Sequence, residues 1–208
     1  MKKITCLPLL VFIFSLCTSS CSDDNEVYPS IVTKMADIYT NAQGDLKKLV
    51  FDDERSLTIS NYLPGYQKDA IYRALCGYTS DGHFARLYQL MGVNILRDST
   101  TIAWRDPLNT VSVWRTKRYI NLHLSPKTQG GRHYWGFITD SIITSTKADG
   151  QTSSHAYISL HHKQNGDPTS YSEDVYASLP VDSIKGIEAT SPITLRIQTF
   201  DGIRAFEL

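Results

Sequence analysis

Apolar and polar residues alternate along most of this chain. In residues 119–124, Ile120, Leu122 and Leu124 share one phase; in 157–161, Ile158 and Leu160 do so; in 193–197, Ile193, Leu195 and Ile197 do so. A period of two lines one face of an extended strand, so each run predicts a half-buried β-strand. Turn formers separate the runs: Asn41-Ala42-Gln43-Gly44, Ser80-Asp81-Gly82, Gln129-Gly130-Gly131, Ala148-Asp149-Gly150 and Asn165-Gly166-Asp167-Pro168. Glycine supplies positive φ there, and Asn or Asp closes the turn with its side chain. The rhythm predicts an all-β chain of sandwich or barrel type.

Residues 83–91 read two ways. Phe84, Leu87, Tyr88 and Met91 have helical spacing, yet the segment also suits a strand with two partly buried faces, and strand is the preferred reading. At Asp106-Pro107-Leu108-Asn109 the proline excludes a central strand position, which marks a module boundary. No repeat relates the two sides. Two different modules are expected, at 27–106 and 107–208.

The first 20 residues form a different kind of segment. Lys2 and Lys3 precede the apolar run 7–16, and Thr18, Ser19 and Ser20 precede Cys21. A positive start, a run of about ten apolar residues against the roughly 20 of a spanning helix, and small residues before a cut describe a signal peptide. Cys21 in that place is the expected lipidation site of a bacterial lipoprotein. Cys17 is a poorer site because the bulky Leu16 precedes it. Cleavage after Ser20 by an ordinary signal peptidase, leaving a soluble secreted protein, is the alternative. Several acyl chains on one cysteine, at about 0.8 kcal/mol per buried CH₂, make a near-permanent anchor. Residues 21–26 then form an acidic tether, similar to the export signal that sends some lipoproteins of Gram-negative gut anaerobes to the cell surface. The expected location is the outer membrane, facing the exterior.

Composition narrows the partners. Lys and Arg number 21, as do Asp and Glu. Losing Lys2 and Lys3 with the signal leaves a slight acidic excess, so nucleic acid is not an expected partner. Of the four cysteines, two fall in the signal and one is the lipid site. Cys76 is left without a partner, so the mature lipoprotein has no disulfide and no thiolate metal site. It shares its phase with Ala70, Tyr72, Ala74 and Tyr78, and reads as a small buried hydrophobe.

Short motifs stand out in both parts of the chain. Near the start they are Tyr28-Pro29-Ser30-Ile31-Val32-Thr33, then a strand, a Gly turn and a second strand ending in Asp52-Asp53. Further on they are Tyr119-Ile120-Asn121-Leu122, Leu160-His161-His162, Ser178-Leu179-Pro180-Val181 and Phe200-Asp201-Gly202. Together these motifs resemble the NigD-like lipoproteins, and the resemblance implies a small OB-like barrel followed by an antiparallel β-sandwich. The family is named for a gene beside a bacteriocin cluster and carries over no catalytic residue.

Candidate chemistry is sparse. His123, His155, His161 and His162 lack the spacing of a metal site, and adjacent His161 and His162 point to opposite faces of a strand. They meet at one ion only if their strands pair or bulge, so no metal and no cofactor are expected. No Gly-x-Ser-x-Gly elbow occurs, and the pairs Asp52-Asp53 and Glu173-Asp174 lie in polar turns. No catalytic residue is assigned, and no enzyme is expected. Trp104, Trp114, Trp135, Tyr171 and Tyr176 are the candidate ligand-binding aromatics, able to stack on sugars or anchor a protein. Gly65, Gly77, Gly92 and Gly136, within or beside strands, suit bulges or bends. The expected function is a binding or accessory module for a protein or peptide at the envelope, with the membrane as its anchor. A glycan-binding lipoprotein is the alternative, and an envelope hydrolase comes third.

Overall fold

A computed structural model of the chain describes residues 30–98, 104–146 and 150–208, and no α-helix occurs among them. Cys21 and the tether lie outside the described residues. Five strands come first: β1 (Val32–Thr40), β2 (Leu46–Phe51), β3 (Ser56–Ile59), β4 (Ile71–Ser80) and β5 (Phe84–Gly92). They close into a barrel in the order β1-β2-β3-β5-β4, with β4 returning to pair with β1 and β3 running parallel to β5. This is the OB-like barrel.

Closure gives every strand a partner on both sides over part of its length and gives the barrel an apolar interior. Ala36, Ile38, Leu49, Ala74, Cys76 and Leu87 fill it. Burial pushes the Cys76 thiol up to about 12, so it stays protonated and serves as packing. The ambiguous segment 83–91 is strand β5. Ala85 and Leu87 point inward while Phe84 and Tyr88 are exposed, so outward aromatics disguised the period of two. β4 and β5 slip register between Gly77 and Tyr78, the irregularity expected near Gly77.

The sandwich follows: β6 (Asn94–Ile95), β7 (Asn109–Arg115), β8 (Tyr119–Ser125), β9 (Lys127–Thr128), β10 (Tyr134–Thr146), β11 (Thr152–Lys163), β12 (Tyr171–Ser172), β13 (Val175–Pro180), β14 (Ile193–Thr199) and β15 (Gly202–Glu207). One sheet has the order β10-β11-β14-β15 and the other β6-β13-β8-β7. Leu122, Leu124, Phe137, Ile158, Leu179 and Leu195 meet between them, each fully buried. Pairing is antiparallel except for β11 with β14 and β13 with β6. The first exception arises because the chain crosses to the opposite sheet through β13 before returning as β14.

The change of sheet comes at Val93, earlier than the break expected at Asp106-Pro107. β6 already pairs with β13. Asp106 is tied into the sandwich, its Oδ2 accepting from the Gln164 amide at 2.8 Å. The proline marks entry into β7, and the residues Ile31 to Leu208 cluster as one compact unit.

A buried ionic cluster joins barrel to sandwich. Asp37 and Arg73 stand directly opposite on β1 and β4, and Asn121 and Ser178 directly opposite on β8 and β13. The two pairs face each other. Arg73 Nη1 contacts Asp52 Oδ1 at 2.6 Å and Asp37 Oδ1 at 3.3 Å. Its Nη2 donates to Asn121 Oδ1 at 3.0 Å, and its Nε to Ser178 Oγ at 3.2 Å. The Tyr119 ring lies 4.0 Å from the guanidinium, and Arg118 pairs with Asp37 at 2.6 Å. Two carboxylates and two guanidinium groups balance. Arg73 and Asp37 side chains are each 2% exposed, and a charge so buried is tolerated only when paired and hydrogen-bonded.

Replacing Arg73 by Met leaves Asp37 and Asp52 short of their partner. Arg73→Met is expected to cost ~3–5 kcal/mol in urea unfolding, and Arg73→Met with Asp37→Asn less than the single change.

Candidate functional site

The row of residues Ser178, Asn121 and Trp114 runs across β13, β8 and β7. The first two are covered by the barrel, whereas Trp114 stands on the edge strand beyond them and is 37% exposed. Below it lies a cleft of about 630 Å³. Met35 of β1 and Phe51 of β2 line it from the barrel, with Lys34, Asp52 and Lys117 supplying polar groups. Apolar walls with a few convergent polar groups are the usual make of a ligand site.

The cleft exists because β1 outlasts β2. The pairing of β1 with β2 begins at Ala36 opposite Phe51, whereas its pairing with β4 starts at Val32. After Phe51 the chain turns away through Asp52, Asp53 and Glu54, with Glu54 at φ 67° and its amide donating to the Phe51 carbonyl at 3.0 Å. The turn vacates the place beside residues 32–35.

The charges around the cleft are mostly matched. Asp52 is held by Arg73. Asp53 pairs with Arg55 at 2.7 Å, and the Arg55 hydrogen bonds hold its carboxyl below the ordinary range. Lys117 of the β7–β8 turn reaches Glu54 at 2.6 Å, an exposed bridge from sandwich to barrel. Lys34 has no carboxylate within ion-pair distance among the described residues, although its charge reaches Asp53 and adds to the lowering of that carboxyl.

Of the five aromatics singled out, only Trp114 lines this cleft. Trp104 takes the Lys163 ammonium over its ring at 3.9 Å and meets His161 edge-on. Trp135 stacks on His162 at 4.4 Å, with the ring planes 20° apart. Tyr171 is exposed on β12, and Tyr176 stacks on His123 at 4.4 Å. They are distributed over the sandwich: Trp135, Tyr171 and Tyr176 lie on strands of three different sheets, and Trp104 lies outside the strands. The same fact separates the histidines. His123 is on β8 and His161 on β11, so these strands do not pair. No group of three His, Cys, Asp or Glu side chains is placed to hold one metal ion among the described residues.

Sequence reasoning did not single out Lys34, Met35, Phe51 or Arg73. Asp37 and Arg73 did carry a signal, a lone charge between apolar neighbours in each strand.

A second polar cluster lies within the sandwich. His162 Nδ1 donates to the Asp106 carbonyl at 2.9 Å, and its Nε2 lies 3.0 Å from His133 Nδ1. His133 Nε2 in turn lies 3.1 Å from Asp167 Oδ2. Thr128 Oγ1 also donates to that oxygen and is the first cause of the lowered Asp167 carboxyl, followed by the Gln129 amide. A side chain on Gly131 would strike this carboxyl, since a Cβ there would sit 2.5 Å from Asp167 Cγ. The cluster ties the β9–β10 loop to the β11–β12 loop.

An OB-like barrel clamped to a β-sandwich, with a mixed apolar and polar cleft at the seam, defines a two-module β scaffold. The sandwich half, residues 95–208, matches the NigD-like C-terminal beta sandwich domain, and the chain belongs to the NigD-like family. A NigD-like immunity protein from Bacteroides caccae shares the fold, with TM-score 0.62 and 23% identity over 87% of this chain and 93% of that one. A protein of unknown function from Bacteroides vulgatus does so with TM-score 0.64 and 16% identity, over 86% and 90%. No curated protein matches the sequence.

Burial lowers His162 to about 4 from 6.5. Between those values the unfolded chain takes up a proton that folded His162 refuses. Stability is therefore full above about pH 6.5 and falls as the pH drops towards 4, by ~3 kcal/mol in all. Urea unfolding across that range is expected to show the decline, and His162→Gln to reduce its slope.

Proposed function

We propose that the protein is a non-enzymatic envelope lipoprotein, anchored in the outer membrane through Cys21 and facing the exterior, that binds a peptide segment of a partner protein in the barrel–sandwich cleft. One observation carries the reading: Trp114 from the sandwich and Met35 and Phe51 from the barrel line a single concave site. A partly exposed tryptophan beside apolar walls is the usual anchor of a protein contact. The volume of about 630 Å³ suits a few residues of a chain and not a folded domain.

The state of the carboxylates supports a binding role over catalysis. Asp52, Asp53 and Glu54 each sit on a cation, which leaves none of the three poised as a general base. The likeness to a protein described as an immunity protein supports a peptide or protein ligand. The signal-like N-terminus with Cys21 and the acidic residues after it support the anchor and its outward direction.

Two measurements test the reading. A display library of random short peptides, selected on the purified mature domain, is expected to yield binders that shift tryptophan fluorescence. Trp114→Ala, which keeps the β-rich circular dichroism spectrum, is expected to weaken them about tenfold or more. Binders indifferent to Trp114, or none at all, would remove the cleft as a peptide site. Sugars that quench Trp114 while peptides do not would put glycan capture in its place. For the anchor, Cys21→Ala is expected to move the protein out of the membrane fraction, and its retention there would refute the lipid attachment.

A further inference from the structure

Residues 32–35 of β1 form an overhang that pairs with β4 on one side only. Among the described residues no strand pairs with the other side. The cleft touches Thr33, Lys34 and Met35 in succession. Successive side chains of a strand point to opposite faces, so a cavity that meets three in a row lies along the strand's edge. An edge presents a row of backbone N–H and C=O groups able to pair with another chain. The neighbouring place in the sheet is the one β2 leaves when it turns away after Phe51.

We propose that the ligand adds to the barrel as a strand, lying antiparallel to residues 32–35 of β1 in line with β2 and beneath Trp114. The proposal rests on the reading of the cleft as a peptide site and assigns its mode of recognition and its ligand class. Backbone hydrogen bonds to the overhang hold an extended chain, and side-chain sites select it.

Those sites follow from the phase of β1. Ala36 and Ile38 point into the barrel core, so Lys34 shares their phase at the barrel's open end. Met35 and Asp37 have the opposite phase, towards the sandwich, where Met35 Sδ accepts from Ser178 Oγ at 3.8 Å. An added strand therefore sends one side chain towards Met35 and Trp114, and the next towards Lys34, on the face that Phe51 shares as the partner of Ala36. The first position suits an apolar residue. The second suits a carboxylate, because Lys34 is the cleft charge with no ion pair among the described residues. The ligand is an extended peptide with an apolar residue next to an acidic one.

The probe is a capped peptide of about six residues, the length of an ordinary strand, with alternating Val and Thr around a central Leu-Glu pair. Its twin carries N-methyl groups on alternate amides in the two possible phases, which removes pairing and keeps the side chains. Binding is read by tryptophan fluorescence and by hydrogen exchange of the 32–35 amides. The unmodified peptide is expected to bind, to slow exchange in the overhang, and to weaken about tenfold on methylation in one phase. Lys34→Glu is expected to weaken it and to favour the same peptide with Lys for Glu. Equal binding of the methylated twins, with exchange unchanged, would overturn strand addition and leave the cleft reading standing. No binding of the unmodified peptide would also overturn it, while the library selection decides the cleft reading separately.

Discussion

Arg73 stands where two modules with separate cores must become one body. Each core is apolar and complete in itself, the barrel around Ile38 and Leu49 and the sandwich around Leu122 and Phe137. What they share is a guanidinium that neither half satisfies alone. The barrel supplies its charge partners, Asp37 and Asp52, and the sandwich supplies its hydrogen-bond acceptors, Asn121 and Ser178. Separating the modules would strip the acceptors from an ion kept out of water. The directional fork of an arginine also sets the angle between the sheets it links, which apolar contact alone would leave loose.

That fixed angle creates the cleft. The sandwich sheet is pinned at Asn121 and Ser178, and its edge strand β7 extends past the pin and carries Trp114 over the barrel. On the barrel side, β2 ends early because the turn at Asp52 serves the same cluster. Asp52 takes hydrogen bonds from Arg73 and Asn121 and so draws the chain away from the β1 overhang. One buried network thus positions the tryptophan and opens the strand edge beneath it. The cleft and the open strand edge are consequences of a single set of contacts.

Much of the fold was legible because strand periodicity is local. Ile120, Leu122 and Leu124 announce their buried face from sequence alone, and Gly44 and Gly82 mark turns by their need for positive φ. Residues 83–91 were harder, since Phe84 and Tyr88 lie on the exposed phase of β5, opposite the usual preference. The candidate site was only partly legible. Trp114 was among five aromatics with equal claims, and nothing local separates it from Trp135, which packs on His162 inside the sandwich. His161 lay on the polar phase of its strand and still proved buried, 4% exposed, because Trp104 covers it.

The residue pattern by itself determined that the chain is all-β, where its turns fall, and that Cys76 packs as a hydrophobe, since each depends on neighbours within a few positions. Tertiary structure alone decided which strand edge stays open, which tryptophan overlooks it and which cleft charge has no close ion pair among the described residues. These are properties of pairs far apart in the chain: Asp37 with Arg73, Arg73 with Ser178, Glu54 with Lys117. No period or motif encodes such meetings. They follow from the closure of the barrel and from the need of one buried cation for partners on both sides.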